Sequence, residues 1–419
     1  MKSTAAEAAA PDAGGGGRMR SRRQGARIVA ALAVTQTIGY GVLYYAFSVF
    51  LLPMAADLRA STAQVAAALT CSVLVSALCA PMVGRRLDAR GGRGLMTVGS
   101  VLGALAVLAW SRVENLPQLY AVFAAIGVAS AMVLYQSAFA VIVARFDGDE
   151  RGRAGALLAL TVVAGFASTI FLPLSGLLVE RYGWRQALVV LALVYGAAAI
   201  PLHALVLRRR TRAAQAPAAA AQRAAIAREA VRRRPFWLLV VAFTASGGAA
   251  AVMAVLLITY LVHLGHPPVL AATLAGFLGV LSVTGRLLTT GLQTRLPAAL
   301  IAAAIFALQG VAAALLPLAG RTVPGAVGCV LGFGLGFGIA SITLPHLLVD
   351  RYGTAAYATL SGRIALFSVA AKASAPLGAL ALAQSAGYDR VMAVVAAACA
   401  VAAVALTAYH RIPFRPASK

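Results

Sequence analysis

Solid apolar runs of twenty or more residues recur along the chain, separated by short polar or basic segments. Such runs lack strict alternation, so they read as helices and not as half-buried strands. At 1.5 Å of rise per residue, each crosses a hydrocarbon core of about 30 Å. Lipid leaves only helices and closed barrels with satisfied backbones, and barrels alternate. The pattern predicts spans near 28–53, 63–83, 94–111, 117–144, 154–179 and 186–207. A second set follows near 236–263, 267–291, 297–318, 323–349, 361–383 and 390–409. The expected fold is an all-α membrane protein with twelve transmembrane helices in two six-helix bundles. Residues 1–27 read as a disordered basic tail, 28–207 as the first bundle, 208–234 as a cytoplasmic linker, 235–410 as the second bundle and 411–419 as a cytoplasmic tail. The linker opens with Arg208, Arg209, Arg210 and Arg212, closes with Arg232, Arg233 and Arg234, and is expected to form a surface helix in between.

Composition agrees with lipid as the main solvent: 61% of 419 residues are hydrophobic and 11% charged. The net charge of +24 would suit nucleic acid, but its placement argues otherwise. Of 36 Lys and Arg, six (Arg59, Arg112, Arg181, Arg185, Arg321, Arg390) fall on one side and Lys372 inside a span; the rest belong to the other side. That bias puts both termini in the cytoplasm of a bacterial-type inner membrane and requires an even number of spans. Basic loops beside anionic headgroups then explain the charge without nucleic acid. Cys71, Cys79, Cys329 and Cys399 lie in apolar runs without pairing or ligand spacing, so no disulfide or metal is expected. The first apolar run is too long for a cleavable signal peptide. No nucleophile–base set appears, so neither an enzyme nor a cofactor is expected.

The two halves resemble each other. Span 2 runs into Gly84-Arg85-Arg86-Leu87-Asp88, and span 8 into Thr290-Gly291-Leu292-Gln293-Thr294-Arg295, about 206 positions later. Pro173-Leu174-Ser175-Gly176 with Tyr182-Gly183-Trp184-Arg185 is echoed about 204 positions later by Pro376-Leu377-Gly378 with Gly387-Tyr388-Asp389-Arg390. A half-length repeat implies duplicated bundles with a site between them.

These residues resemble the major facilitator superfamily over essentially 28–410. The family loop between spans 2 and 3 reads Gly, three residues, Asp, Arg, any, Gly, then basic residues. Gly84, Asp88, Gly91 and Arg93 fit it, while Ala89 departs from the usual Arg. In the family this loop is a conformational latch, and that role is implied for these four residues. Within the superfamily the chain looks most like the monocarboxylate-porter and oxalate–formate exchanger branch. The pointers are an aromatic first span (Gly39, Tyr40, Gly41, Tyr44, Tyr45, Phe47), Gly285-Arg286 in span 8 and the Arg351-Tyr352-Gly353 turn. Three positions depart from that branch. The exchangers' span 11 lysine aligns nearer Ser368, Ser282 stands where the porters carry an acid, and Tyr45 stands at their span 1 lysine. The drug-antiporter pattern of span 5 is absent, because Leu172 precedes Pro173 and only Gly176 follows.

The acidic inventory narrows the chemistry further. All twelve Asp and Glu fall in tails, loops or span ends, among them Asp57, Glu114, Asp147, Asp149, Glu180, Asp350 and Asp389. A mid-membrane carboxylate relay is therefore not expected. Two cations do reach inward. Lys372 lies nine residues beyond Arg363, hence about 13.5 Å deeper along span 11. Arg286 lies a turn or more inside the end of span 8. A bilayer-centre charge costs at least about 2.5–3.5 kcal/mol, so a bound anion is the natural counter-charge for each. The structural alternatives are snorkelling, carbonyl pairing or a neutral amine for Lys372, and a snorkelling anchor for Arg286.

Tyr44, Tyr45, Tyr135 and Tyr260 offer hydroxyls and flat walls, with packing as their alternative role. Gln36, Gln136 and Gln309 are buried polar candidates. His263, His266 and His346 read as helix caps or headgroup contacts, and the glycines from Gly332 to Gly338 as close helix packing. The expected function is secondary active transport of a small organic anion, a carboxylate, by alternating access. The substrate residues are Lys372, Arg286, Tyr44, Tyr45, Tyr135 and Gln136, with a proton or counter-anion as coupling ion and a monomer in the bilayer. The competing expectation is an efflux pump for an amphipathic drug or metabolite.

Overall fold

The computed structural model describes residues 14–207, 216–293 and 295–413, and every element in them is helical or a turn. Residues 1–13, the arginine-rich opening of the linker at 208–215, Thr294 and the last six residues lie outside the described residues. Ten helical runs are long and apolar enough to cross a membrane. One of them, Glu150–Val206, carries two spans, and a further span is split into two short helices. The total is the twelve that the apolar pattern predicts.

Span 1 comprises Gly14–Tyr40, a π-helical turn at Gly41–Tyr45 and Ala46–Asp57. Its helix starts at Gly14, so the tail expected to be disordered to residue 27 is helical from that point. The good helix formers between Arg18 and Gln24 extend the register of the apolar run. Span 2, Thr62–Arg90, starts at a capping box in which Ser61 Oγ accepts from the Gln64 N–H at 3.2 Å and Gln64 Oε1 accepts from the Ser61 N–H at 3.0 Å. Span 3 is Gly92–Trp110, and span 4 is Leu116–Val133 with Tyr135–Arg145. Spans 5 and 6 run through Glu150–Ala164, Ala167–Pro201 and a closing π-helical turn.

The linker helix is Pro217–Arg232. Spans 7, 8 and 9 are Arg234–His263, Pro268–Leu292 and Ala298–Ala319. Span 10 is broken into Val323–Gly334 and Ala340–Tyr352, and spans 11 and 12 are Tyr357–Ala386 and Tyr388–Arg411.

Backbone geometry supports the repeat. Gly183 (φ 72°) and Gly387 (φ 88°), about 204 positions apart, each turn the chain from one span into the next within a single residue. A side chain is strained at such φ values, which is why glycine holds both corners.

Burial shows how the halves meet. One apolar core, around Phe50, Trp110, Phe123 and Leu191, belongs to the first bundle alone. Another, around Leu256, Tyr260, Phe333 and Met392, belongs to the second alone. A third mixes Leu32, Ile142 and Leu157 with Phe306, Leu348 and Tyr357. The bundles therefore share a core in the half that carries the described chain ends, here called the termini face, and keep separate cores in the other half.

Candidate functional site

Between the bundles lies a cavity of about 270 Å³. The first bundle supplies Tyr40 and Tyr44 from span 1, Ser72 and Ser76 from span 2, and Tyr135 and Gln136 from span 4. The second supplies Ser341 from span 10 and Ser361, Ser368 and Lys372 from span 11. Local irregularities aim these groups. The π-helical turn resets span 1 beside Tyr40 and Tyr44, and Leu134 leaves helical geometry immediately before Tyr135. A Cβ at Gly41 would collide with the Phe171 ring, so glycine lets span 1 close on span 5 there. The rings form one cluster, with Tyr40–Tyr135 centroids 4.6 Å apart and Tyr44–Tyr45 5.3 Å apart.

Lys372 is the one formally charged side chain on the cavity wall among the described residues. It is exposed to the cavity and has no hydrogen-bond or ion-pair partner among them. Its stem passes Gly247 of span 7 so closely that a Cβ there would stand 3.0 Å from Lys372 Cε. The side chain thus points between the bundles, not towards acyl tails.

Arg286 is placed differently from the substrate role expected of it. It is not on the cavity wall; its Nε donates to the Gly338 carbonyl at 3.1 Å and its Nη1 to the Thr161 carbonyl of the first bundle at 3.0 Å. A guanidinium has donors to spare and reaches farther than an ammonium, so it is satisfied by backbone oxygens where helices cross. Tyr45 is likewise off the wall, packed behind Tyr44. Tyr260 donates to Asp389 at 2.8 Å, a contact within the second bundle.

The segment 84–93, expected as a loop, is mostly helix: span 2 continues to Arg90, and the turn falls on Gly91 at φ 77°. Gly84 serves a different purpose from turning. A Cβ there would collide with the Ala358 carbonyl, and one at Gly362 would collide with the Ala80 carbonyl, so spans 2 and 11 touch backbone to backbone. Four residues on, buried Asp88 accepts the N–H groups of Ala358 at 3.1 Å and Thr359 at 2.6 Å. Those donors sit in the first turn of span 11, where unpaired N–H groups and the helix dipole favour an anion. Arg93 lies in the first turn of span 3.

Other polar contacts join the bundles in the same half. Ser361 donates to Gln136 Oε1 at 3.3 Å. His346 lies 3.3 Å from Asp350 and 3.6 Å from Glu150 across the interface, so it is an interbundle contact and not the helix cap or headgroup contact expected. Among the described residues, no hydrogen bond or ion pair joins the bundles in the opposite half.

Gln36 and Gln309 are structural, donating to the Val133 carbonyl at 2.7 Å and the Phe333 carbonyl at 2.8 Å. His266 Nε2 meets the Gly320 carbonyl at 2.6 Å. Tyr40, Ser72, Ser76, Ser341 and Ser361 line the cavity and are not among the expected substrate residues. Helical spacing of four puts Tyr40 on the face of Tyr44, a signal that was available; small serines in apolar spans carry none.

Solved structures share this architecture. The fucose:proton symporter of E. coli aligns with a TM-score of 0.70 at 14% identity, covering 91% of this chain and 98% of its own. The human organic anion transporter MFSD10 aligns at 0.66 and 16% identity, covering 92% and 99%. No curated protein sequence matches the chain. Residues 32–376 match the family model described as Major Facilitator Superfamily. The chain belongs to that superfamily of membrane transporters.

Proposed function

We propose that this protein is a secondary active transporter for a small organic anion, a carboxylate, working by alternating access in a bacterial-type inner membrane with both termini cytoplasmic. One observation carries the reading: the amine of Lys372 is the sole formal charge on the cavity wall among the described residues, and no carboxylate faces it. An anionic cargo supplies the missing counter-charge at lower cost than leaving the amine alone. Tyr40, Tyr44, Tyr135 and Gln136 add donors and flat surface for a planar carboxylate. Arg286 acts on the gate, tying span 8 to the backbone of spans 5 and 10. Asp88 and Gly84 form the latch that holds the termini face shut. With no acid on the wall, the coupling ion is either a proton carried by Lys372 or a counter-anion exchanged at the same amine. MFSD10, named an organic anion transporter, and the fucose:proton symporter both use this fold.

The test is counterflow in proteoliposomes with a panel of mono- and dicarboxylates. Accumulation of at least one carboxylate, lost in Lys372→Ala, is the expected result. Uptake that is indifferent to Lys372→Ala for every substrate transported removes the reading. The aromatic half of the wall favours a second reading, efflux of an amphipathic drug or metabolite. A resistance phenotype lost on deletion, without any growth defect on organic acids, selects it.

A further inference from the structure

A second recess lies away from the transport cavity, where the linker helix meets spans 7 and 11. It holds about 370 Å³, and its wall combines Arg228, Arg232 and Arg363 with Phe236, Trp237 and Phe367. The polar half of this wall is uniformly cationic. Arg363 Nη1 donates to the Ala227 carbonyl at 3.0 Å and Arg228 Nε to the Ala224 carbonyl at 3.4 Å, so both bond neutral oxygens and keep their charge uncompensated. Arg85 of span 2 adds a repulsion felt by Arg363. The nearest acid on the linker helix, Glu229, is engaged by Arg233 at 2.6 Å. Clustered guanidinium groups of this kind repel each other unless an anion with several acceptor oxygens lies among them.

The apolar half faces outward. Trp237 and Phe367 are 43% and 41% exposed, and their ring centroids lie 6.1 Å apart. The Trp237 indole N–H donates to the Val231 carbonyl at 2.8 Å, which orients its ring at the level where linker meets span. That is the amphipathic placement of an interfacial aromatic. A phosphate among arginines with an apolar chain running from it along aromatic rings has the form of a lipid, and basic pockets between transmembrane helices suit acidic headgroups.

We propose that this recess binds an anionic glycerophospholipid, with its phosphate among Arg228, Arg232 and Arg363 and an acyl chain against Trp237 and Phe367. The site joins the linker to span 11 one turn past the residues that Asp88 caps.

The test uses the purified full chain in detergent, titrated with phosphatidylglycerol or phosphatidylcholine of identical chains and read by native mass spectrometry. The wild-type protein is expected to retain phosphatidylglycerol preferentially. Arg228→Ala with Arg232→Ala is expected to weaken retention roughly 10-fold, and Arg181→Ala on the opposite face to leave it unchanged. Both altered arginines are exposed on a helix that accepts alanine, and an unchanged melting temperature certifies the fold. Brominated-chain phosphatidylglycerol provides an independent reading by quenching Trp237 fluorescence, with Trp237→Phe as the blank. Equal retention of the two lipids, wild-type retention by the double variant, or equal competition from soluble glycerol phosphate each overturns the proposal, the last assigning the site to free phosphate.

Discussion

The two bundles descend from one pattern yet contribute opposite chemistry to the space between them. The first offers neutral donors, the Tyr40–Tyr44–Tyr135 cluster and Gln136, and its interbundle carboxylates, Asp88 and Glu150, lie in the termini half. The second offers the positive partners: Lys372 in the cavity, Arg286 against the backbone of spans 5 and 10, and the N-terminus of span 11 under Asp88. What duplication kept is mechanical, such as the single-residue corners at Gly183 and Gly387. What diverged is electrostatic. Polarity is therefore divided between the cavity and the termini half, with the same span 11 reaching both.

The division can be broken at three points. Lys372→Ala removes the charge proposed to hold the anion, and carboxylate uptake in proteoliposomes is expected to fall about 100-fold, in line with truncating one member of a desolvated charge pair. Asp88→Asn weakens two charge-assisted bonds worth about 1.5–3 kcal/mol each. The closed termini face is then expected to lose population by roughly 10-fold, measured as faster labelling of a cysteine introduced there. Gly84→Ala, which drives a methyl into the Ala358 carbonyl, is expected to open the same face without any change of charge. If Asp88→Asn opens the face and Gly84→Ala does not, the latch is electrostatic alone.

Arg286→Gln sharpens the separation of gate from site. It is expected to lower the maximal rate several-fold while leaving KM within about 2-fold, because its bonds go to backbone and not to cargo. A rise in KM with an unchanged rate would instead place Arg286 at the substrate. The smallest effect belongs to Tyr135→Phe: loss of one hydroxyl is expected to raise KM about 2- to 10-fold, as for a single neutral hydrogen bond.

The fold was largely legible in the sequence because lipid imposes one rule, a solid apolar run per crossing, and the runs are long. Helix breaks within spans were not legible. The π-helical turn at Gly41–Tyr45 and the break at Leu134 are set by packing against Phe171 and by neighbouring helices, which periodicity does not encode. At the site, Lys372 stood out as a lone internal lysine and lies on the cavity wall. Arg286 and Tyr45 lie off the cavity wall because depth along a span is readable in sequence, whereas the direction a side chain faces depends on bundle geometry. Asp88 was legible as a motif, whereas its partner, the backbone of span 11, has no side-chain signature at all.

Span 10 adds a mechanical consequence. Its helix stops at Gly334 and resumes at Ala340, and the glycines in the break seat against Gln309 and against Arg286 and Ser282. A rod cut in the middle transmits little torque. The segment Ala340–Tyr352, with Ser341 at the cavity, His346 at the interface and Leu347 and Leu348 in the shared core, is thereby packed with both bundles, while Val323–Gly334 is anchored in its own bundle's core alone. The break thus divides span 10 into a part committed to one bundle and a part that feels both, so a relative movement of the bundles would bend this span at its glycines and leave Val323–Gly334 in place.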